Sequence, residues 1–425
     1  MTEPLRPLLH FTAPRGWLND PNGLVFYAGY WHLFYQHNPQ GTEWGNMTWG
    51  HARSRDLVRW EHLPHALEPY DGGTIFSGSA VCDEAGVAGL GKGALLLFYT
   101  FAGKPFDQRL ASSTDGGKTF TQHTWNPVLP NVEGENRDPR VFWHEASKHW
   151  CMALYVRRGE VDGIEFYQSH NLTDWSFSSR IEGFYECPEC FELDGTWVLF
   201  GADGGYVLGQ FDGKTFHPEG ERQKLDQGMH FYAAQTYSHA PEGRRVLIAW
   251  MRGGSFPKMP FNQQLTFPTE VTLKEVGGQK RLCRQPVAEI AGLWRETWEL
   301  NQTALVPGCG LIGLWEGEAF DIEAELIVQP DALLQLSVRG SEVRYDAASQ
   351  MLTCQGRTAR LPLGESQRLR LRVLCDRTSI EVFAGEGDVV LSTCFLPDPT
   401  HRTVTVAAPN GGIFLETLAV RLIRG

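Results

Sequence analysis

Ser54-Arg-Asp-Leu-Val-Arg-Trp60 is a short polar turn with an aspartate near its start and an aromatic residue at its end. Similar turns follow at Thr114-Asp-Gly-Gly-Lys-Thr-Phe120, Ser169-His-Asn-Leu-Thr-Asp-Trp175 and Phe211-Asp-Gly-Lys-Thr-Phe216. Their final aromatic residues lie 60, 55 and 41 residues apart. Repeats of this size, each with room for several short strands, are typical of the blades of a β-propeller. Polar turns that end in an aromatic residue also occur in other β proteins, so the repeat favours a propeller without excluding another all-β fold.

The segments around these turns have the composition of short β-strands. Ala94-Leu-Leu-Leu-Phe-Tyr99 and Val246-Leu-Ile-Ala-Trp250 are examples, and helical periodicity is hard to find. Thirteen of the 14 tryptophans precede residue 300, and beyond it alternation becomes regular, as in Arg368-Leu-Arg-Leu-Arg-Val373. Such alternation is typical of a β-sandwich. We therefore predict an all-β chain with a propeller over residues 1–290, a linker over 291–300 and a sandwich over 301–425.

The overall composition limits the possible partners. The 425 residues include 38 Lys and Arg against 50 Asp and Glu, a net charge of −12, which argues against a nucleic-acid partner. No apolar run approaches the ~20 residues of a membrane span, so no membrane partner is expected. The nine cysteines are odd in number and scattered, and the N-terminus lacks a signal-peptide pattern. We therefore expect reduced thiols and a cytoplasmic location, or secretion if a leader has been lost.

Three acidic residues stand in motifs that folding does not obviously require. They are Asp20 in Trp17-Leu-Asn-Asp-Pro-Asn-Gly23, Asp138 in Asn136-Arg-Asp-Pro-Arg140 and Glu186 in Tyr185-Glu-Cys-Pro-Glu-Cys190. Proline after Asp20 and Asp138 favours an extended backbone, so a strand end could project each side chain into a central funnel. Each motif alone is more often a structural turn, and Asp398-Pro399 shows the same dipeptide without an associated motif. The three motifs together indicate a functional site.

These motifs, in this order, resemble those of glycoside hydrolase family 32, which comprises invertases, levanases, inulinases and other β-fructofuranosidases. Further matches are Gln36-His-Asn-Pro39, Trp44-Gly-Asn-Met-Thr-Trp-Gly-His51 and Ser379-Ile-Glu-Val-Phe383. The resemblance implies a five-bladed β-propeller catalytic domain followed by a C-terminal β-sandwich. It also implies a retaining, exo-acting β-fructosidase that releases fructose from sucrose, fructo-oligosaccharides and fructans such as levan and inulin. No metal-binding or cofactor motif is visible, and this chemistry requires neither.

The resemblance also implies a role for each carboxyl group. Retaining glycoside hydrolysis needs one carboxylate that attacks the anomeric carbon and one carboxylic acid that protonates the leaving oxygen. By resemblance, Asp20 is the nucleophile, Glu186 is the general acid and then the base, and Asp138 stabilises the transition state through ring hydroxyls. This chemistry requires a raised pKa at Glu186 and an ionised Asp20.

The remaining site residues are implied to bind the fructosyl unit. Arg137 would keep Asp138 ionised through charge proximity, or would form only a surface ion pair. Tyr232 would contact the acid/base, three polar side chains would bind hydroxyls, and three aromatic side chains would form apolar walls, whereas Trp49 and Trp60 are expected in the core. The polar side chains are Asn19, Gln36 and Ser77, and the walls are Trp44, Phe76 and Trp250.

Several alternatives stay open at this point. Glu189 stands where many relatives carry Asp, and the segment 101–109 looks shorter than in relatives, so the leaving group is undecided. A fructosyltransferase and an intracellular sucrose-6-phosphate hydrolase would use the same site, although no basic cluster for a phosphate is identifiable from the sequence. A sugar-binding protein would need the loss of a carboxylate, and all three are present. The expected partner is a small carbohydrate, with monomer or homodimer undecided.

Overall fold

The computed structural model describes residues 3–423, apart from the side chains of residues 309 and 311–314. Over this span the chain forms β-strands almost throughout, with two short 3-10 helices at Pro241–Gly243 and Ala288–Leu293. The all-β prediction is confirmed. No helix in the described part of the chain is long and apolar enough to span a membrane.

Five sheets, each built around four strands, occupy the described residues up to 286. In each sheet the strands pair in sequence order and antiparallel, and one additional short strand pairs in parallel with the first strand of the chain. The sheets are formed, in chain order, by β1 (Gly16–Tyr27), β2 (Tyr30–Asn38), β3 (Thr48–Ser54) and β4 (Trp60–Leu67); β5 (Thr74–Asp83), β6 (Ala94–Ala102), β7 (Asp107–Ser113) and β8 (Thr121–Gln122); β9 (Arg137–His144), β10 (His149–Arg158), β11 (Val161–Ser169) and β12 (Ser176–Glu182); β13 (Glu189–Leu193), β14 (Thr196–Phe200), β15 (Gly205–Phe211) and β16 (Phe216–Lys224); and β17 (Tyr232–Thr236), β18 (Val246–Trp250), β20 (Thr269–Val276) and β21 (Gln279–Pro286), with β19 (Phe261–Asn262) beside β1.

The first strands of the five sheets follow one another in a closed ring. β1 packs beside β5, β5 beside β9, β9 beside β13, β13 beside β17, and β17 beside β1. Each neighbouring pair of sheets shares a buried apolar cluster, for example Phe34 with Leu97 between the first two sheets. Burial of these clusters supplies the main drive for ring closure. Five sheets around a ring of inner strands are consistent with the five-bladed propeller.

The polar repeat occupies an equivalent position in the first four sheets, where it joins the third strand to the fourth. In each turn the side-chain oxygen of an Asp or Asn accepts hydrogen bonds from backbone N–H groups two to four residues later. This arrangement fixes the turn conformation locally. The aromatic residue at the end then packs against the sheet interface, and Phe216 is almost fully buried there. The acceptors are Asp56, Asp115, Asn171 and Asp212.

A two-sheet β-sandwich follows, and its two inner faces enclose a second apolar core. Its first strand, β22, begins at Trp294 and pairs with the last strand of the chain, so the residues from 294 onward belong to the sandwich sheet rather than to a linker. We propose that the domain boundary lies near residue 290, within the 3-10 helix Ala288–Leu293. One sheet contains β22 (Trp294–Leu305), β24 (Phe320–Val328), β29 (Arg368–Cys375), β30 (Ser379–Ala384), β31 (Val389–Cys394) and β33 (Ile413–Ile423); the other contains β23 (Cys309–Glu316), β25 (Leu333–Val338), β26 (Ser341–Asp346), β27 (Met351–Cys354), β28 (Arg357–Arg360) and β32 (Thr403–Asn410).

The sandwich docks onto the propeller through a buried, partly charged interface. Phe383 of β30 packs in the same apolar cluster as Phe11 of the N-terminal segment. Beside it, His10 Nδ1 lies 2.9 Å from Asp376 Oδ2 and His10 Nε2 lies 2.9 Å from Glu381 Oε2. Burial alone would lower the pKa of His10, but its hydrogen bonds to the two carboxylates outweigh burial and raise the pKa to about 9.

Candidate active site

One pocket, with a volume of about 410 Å³, opens at the inner strands of the ring. Every residue that the sequence assigned to the site lines it, although the sheets that supply them are far apart in sequence. The inner strands bring the three carboxyl groups together, since Asp20 lies on β1, Asp138 lies on β9, and Glu186 lies just before β13. The other predicted residues in the pocket are Asn19, Gln36, Trp44, Phe76, Ser77, Arg137, Tyr232 and Trp250.

Asp20 is held by donors from two other sheets. Ser77 Oγ donates a hydrogen bond to Asp20 Oδ2 at 2.6 Å, and the thiol of Cys187 lies 3.6 Å from the same oxygen. Withdrawal from water raises the pKa of Asp20 above its ordinary value. Hydrogen bonds from Ser77 and Asn19 oppose this shift, and the charge of Glu186 adds to it. The side chain therefore lies in a confined site with donors already in place.

Asp138 differs from the sequence expectation in its backbone. Its φ is +66°, in the left-handed region, rather than in the extended region that a following proline favours. The pairing of β9 with β10 is irregular at this point, and Thr100 Oγ1 accepts the Asp138 N–H at 2.9 Å. The backbone of a residue other than glycine is strained in the left-handed region, and the surrounding contacts hold Asp138 there. Asp138 therefore lies at the beginning of β9, as expected, but without the extended backbone that the sequence predicted.

The carboxyl group of Asp138 carries a strongly shifted pKa. The N–H of Cys187 donates to Asp138 Oδ2 at 3.0 Å, and Arg137 Nε lies 4.0 Å from the same oxygen. Burial raises the pKa to about 7, because the opposing charge of Arg137 does not outweigh burial together with the neighbouring charges of Glu186 and Asp20. Arg137 thus lowers the pKa of Asp138, which is the direction that the sequence predicts, although burial keeps this pKa above its ordinary value.

Arg137 forms its shorter ion pair with Glu186. Its Nη2 donates to Glu186 Oε1 at 2.6 Å and its Nε donates to the same oxygen at 3.2 Å. The other carboxyl oxygen, Oε2, accepts a hydrogen bond from the Tyr232 hydroxyl at 2.6 Å. Glu186 also has a positive φ of 48°. Both oxygens of this carboxyl group are thus oriented by donors from different sheets.

Aromatic side chains form the walls of the pocket. Trp44 is 58% exposed at the rim and meets Phe76 edge to face, with ring centroids 5.9 Å apart. Trp250 lies deeper and contacts both Trp17 and Tyr232 edge to face. Rings with one accessible face suit the C–H faces of a sugar, whereas Trp49, which is fully buried, belongs to the core.

Four further residues line the pocket that sequence reasoning did not assign to the site: Trp17, Tyr185, Cys187 and Arg252. Three of them adjoin a catalytic motif, which is a usable signal. Trp17 Nε1 donates to Asn19 Oδ1 at 2.9 Å, and burial raises the pKa of the Cys187 thiol well above its usual value, so that it stays a donor to the carboxylates. Arg252 follows Trp250 by two residues, and its guanidinium lies over the Tyr232 ring.

Two carboxyl groups with separate donors, a third acid beside them and aromatic walls define a site for breaking glycosidic bonds. Residues 10–286 match the sequence profile of the glycosyl hydrolases family 32 N-terminal domain, and residues 314–421 match that of the family 32 C-terminal domain. The chain therefore belongs to glycoside hydrolase family 32 and is an enzyme of that class.

Individual relatives cover the whole chain. A levanase from Bacillus subtilis (strain 168) is 34% identical in an alignment 483 residues long, gaps included, which covers 99% of this chain and 71% of the levanase. An extracellular exo-inulinase from Aspergillus awamori is 30% identical over 96% of this chain and 93% of its own length. The crystal structure of exo-inulinase from the same organism covers 100% of both chains with a TM-score of 0.90 and 27% identity. A fructofuranosidase from Schwanniomyces occidentalis complexed with fructosylnystose covers 100% of this chain and 98% of its own, with a TM-score of 0.89 and 27% identity.

Proposed function

We propose that this enzyme is a retaining, exo-acting β-fructosidase that hydrolyses terminal β-D-fructofuranosyl residues of sucrose, fructo-oligosaccharides and fructans. One observation carries the proposal: carboxyl groups from three sheets meet in a single pocket of about 410 Å³. Beneath this pocket, between Pro21, Ser77 and Gln235, the free space is only about 10 Å³. A sugar does not fit this space, so the substrate reaches the carboxyl groups from the open side of the pocket.

In the first step, an Asp20 oxygen forms a bond to C2 of the fructosyl unit as the bond from C2 to the leaving oxygen breaks. Glu186 gives its proton to that leaving oxygen, so the departing alcohol leaves neutral. In the second step, the oxygen of a water molecule bonds to C2, Glu186 takes the proton of that water, and the bond between C2 and Asp20 breaks. Fructose is released and both carboxyl groups return to their starting states.

The surrounding donors support these roles. Tyr232 and Arg137 engage both oxygens of Glu186, so the carboxyl plane is fixed before the substrate arrives. Ser77 donates to only one oxygen of Asp20, Oδ2. Asp138 lies close enough to Asp20 and Glu186 for their charges to raise its pKa. From that position, Asp138 would bind ring hydroxyls, and its interaction with the ring would become stronger as positive charge develops there.

The names of the relatives support the substrate class. The levanase and the exo-inulinase are named for different fructans, and the fructofuranosidase was solved with a fructosylated oligosaccharide. Arg137, the cation beside the carboxyl groups, is engaged by Glu186 and so is not available to a charged group of the substrate.

A substrate panel tests the proposal. Purified enzyme is incubated with sucrose, sucrose-6-phosphate, 1-kestose, inulin and levan, and the products are resolved over time. Free fructose as the sole early product from the oligomers is expected; oligomers longer than the substrate would instead identify a fructosyltransferase, and short internal fragments would identify endo cleavage. Asp20→Asn and Glu186→Gln should each lose more than about a thousandfold in kcat with an unchanged circular-dichroism spectrum. Asp398→Asn, in the exposed Asp-Pro of the sandwich, serves as the matched control and should keep full activity.

A further inference from the structure

A second cavity, with a volume of about 440 Å³, lies directly beside the active pocket. Arg137 and Tyr185 line both cavities, so the two spaces adjoin at these side chains. We call this second cavity the side groove. Its other lining residues include Glu133, Glu135 and Arg157, which come from the loop before β9 and from the end of β10.

One wall of the side groove is aromatic and well supported. Tyr185 is 45% exposed. Its ring meets Tyr155 edge to face with centroids 5.2 Å apart, and the Arg137 guanidinium lies over the Tyr155 ring at 4.6 Å. A ring held in this way offers one accessible face for the C–H groups of a sugar.

Two polar side chains of the side groove, Glu135 and Arg157, have hydrogen-bonding groups that could bind sugar hydroxyls. The Glu135 side chain is exposed and makes no hydrogen bond or ion pair with any residue between 3 and 423. Arg157 is exposed on the same side, where Nη2 donates to Glu160 Oε2 at 2.5 Å and Nε lies 3.9 Å from Asp162 Oδ1. A carboxylate acceptor and a guanidinium donor with spare N–H groups together match the paired hydroxyls of a sugar.

The position of the side groove beside Glu186 indicates which part of the substrate would reach it. A general acid must lie within hydrogen-bond reach of the leaving oxygen, so the leaving part of the substrate extends from the side of Glu186. Tyr185 precedes Glu186 in the chain and Arg137 pairs with it, and both side chains line the side groove. A chain that leaves past Glu186 therefore meets the side groove next.

We propose that the side groove binds the leaving part of a fructan substrate, namely the neutral sugar units beyond the one attached to the scissile bond. This inference rests on the proposed β-fructosidase function and adds a chain-length preference to it. Sucrose has one sugar in its leaving part and does not reach far into the side groove, whereas fructosylnystose has four. Occupation of the side groove should therefore improve kcat/KM for the longer substrate.

The test compares kcat/KM for fructosylnystose and for sucrose in the double variant Glu135→Ala/Arg157→Ala. Both side chains are exposed, so the fold should be retained. We expect the ratio of the two kcat/KM values to fall by about two- to tenfold, as for the loss of one or two hydrogen bonds to a neutral ligand. The matched control is Glu145→Ala/Lys148→Ala, an exposed ion pair at the other end of the same sheet, which should leave the ratio unchanged.

The outcomes separate the side groove from the reaction itself. An unchanged ratio, or equal losses for both substrates, would overturn the side groove proposal. A ratio that instead responds to Arg252→Ala alone would place the leaving chain beside Arg252 rather than in the side groove and would also overturn the proposal. A wild-type enzyme that releases fructose from neither substrate would contradict the proposed function itself, before any variant is compared.

Discussion

Asp138→Asn should stabilise the protein while it removes activity, and the gain should grow with pH. Asp138 is 6% exposed and has a pKa of about 7 against an ordinary value of 3.8. A carboxyl group whose pKa is raised by folding contributes stability that is fully present below its unfolded pKa and is lost as pH rises through the folded pKa. The wild-type enzyme therefore bears a cost at neutral and alkaline pH that an uncharged Asn does not bear.

The magnitude follows from the two pKa values. At about 1.36 kcal/mol per pKa unit, raising the pKa from 3.8 to about 7 corresponds to about 4 kcal/mol at pH 8, where both states are ionised. At pH 5 the folded group is still protonated, and the difference is only about 2 kcal/mol. The shift already includes the attraction of Arg137, and an Asn oxygen can still accept the Cys187 N–H.

The assay is thermal unfolding of the unliganded wild-type enzyme and of Asp138→Asn at pH 5 and pH 8. A domain of this length changes its Tm by about 1–2 °C per kcal/mol, so we expect a gain of about 4–8 °C at pH 8 and about 2–4 °C at pH 5. Asp398→Asn is the control, because the exposed Asp398 has a lowered rather than a raised pKa and should give no gain. A Tm of Asp138→Asn at or below that of the wild type at pH 8, or a gain independent of pH, would refute the reasoning.

Three further predictions concern other polar side chains. Tyr232→Phe removes the hydroxyl that donates to Glu186 at 2.6 Å, and steady-state kinetics should show a loss of at least about tenfold in kcat, as for a hydrogen bond to a charged group; an unchanged kcat would contradict this. His10 has a pKa raised to about 9 from 6.5, so its stabilisation is present below pH 6.5 and is lost as pH rises through 9. His10→Gln should therefore cost about 3 kcal/mol more at pH 6 than at pH 10 in denaturant unfolding, and a pH-independent cost would exclude the charged state. Arg140→Met removes the guanidinium that lies 2.9 Å from the buried Glu189 and leaves this carboxylate mainly with Thr236 as a donor, which should cost about 3–5 kcal/mol. Adding Glu189→Met should restore much of this, and a further loss would show that the pair itself is stabilising.

The sequence predicts those features of the propeller that depend on local interactions. Asp56 and its equivalents form backbone hydrogen bonds within one turn, so the same residue types recur wherever that turn recurs. The fifth sheet lacks the sequence repeat, because Gly277 and Gly278 join β20 to β21. These glycines adopt positive φ, so the turn needs neither an Asp nor an aromatic residue. A different local solution to the same connection leaves no matching pattern.

The candidate site was predictable where chemistry follows the motif, and less so where it depends on contacts across the ring. Trp17 and Cys187 lie in or beside motifs and could have been included. The positive φ of Asp138 opposes the preference before proline, so only the tertiary contacts with Thr100 and Cys187 account for it. The choice of Glu186 over Asp138 as the partner of Arg137 also depends on how two sheets meet, which no single segment encodes.

Ring closure and the geometry of the site are linked through one side chain. Gln235 on β17 accepts the Leu24 N–H of β1 at 2.9 Å through Oε1 and donates from Nε2 to the Gly78 oxygen of β5 at 3.0 Å. The same strand carries Tyr232, which reaches Glu186 from the last sheet. The last sheet is thus tied by hydrogen bonds to the two sheets that supply Asp20 and Ser77. The three carboxyl groups repel one another when they are charged and close together. The folded ring must therefore supply the free energy that holds them in one pocket. Most of this free energy comes from the buried apolar clusters between the sheets.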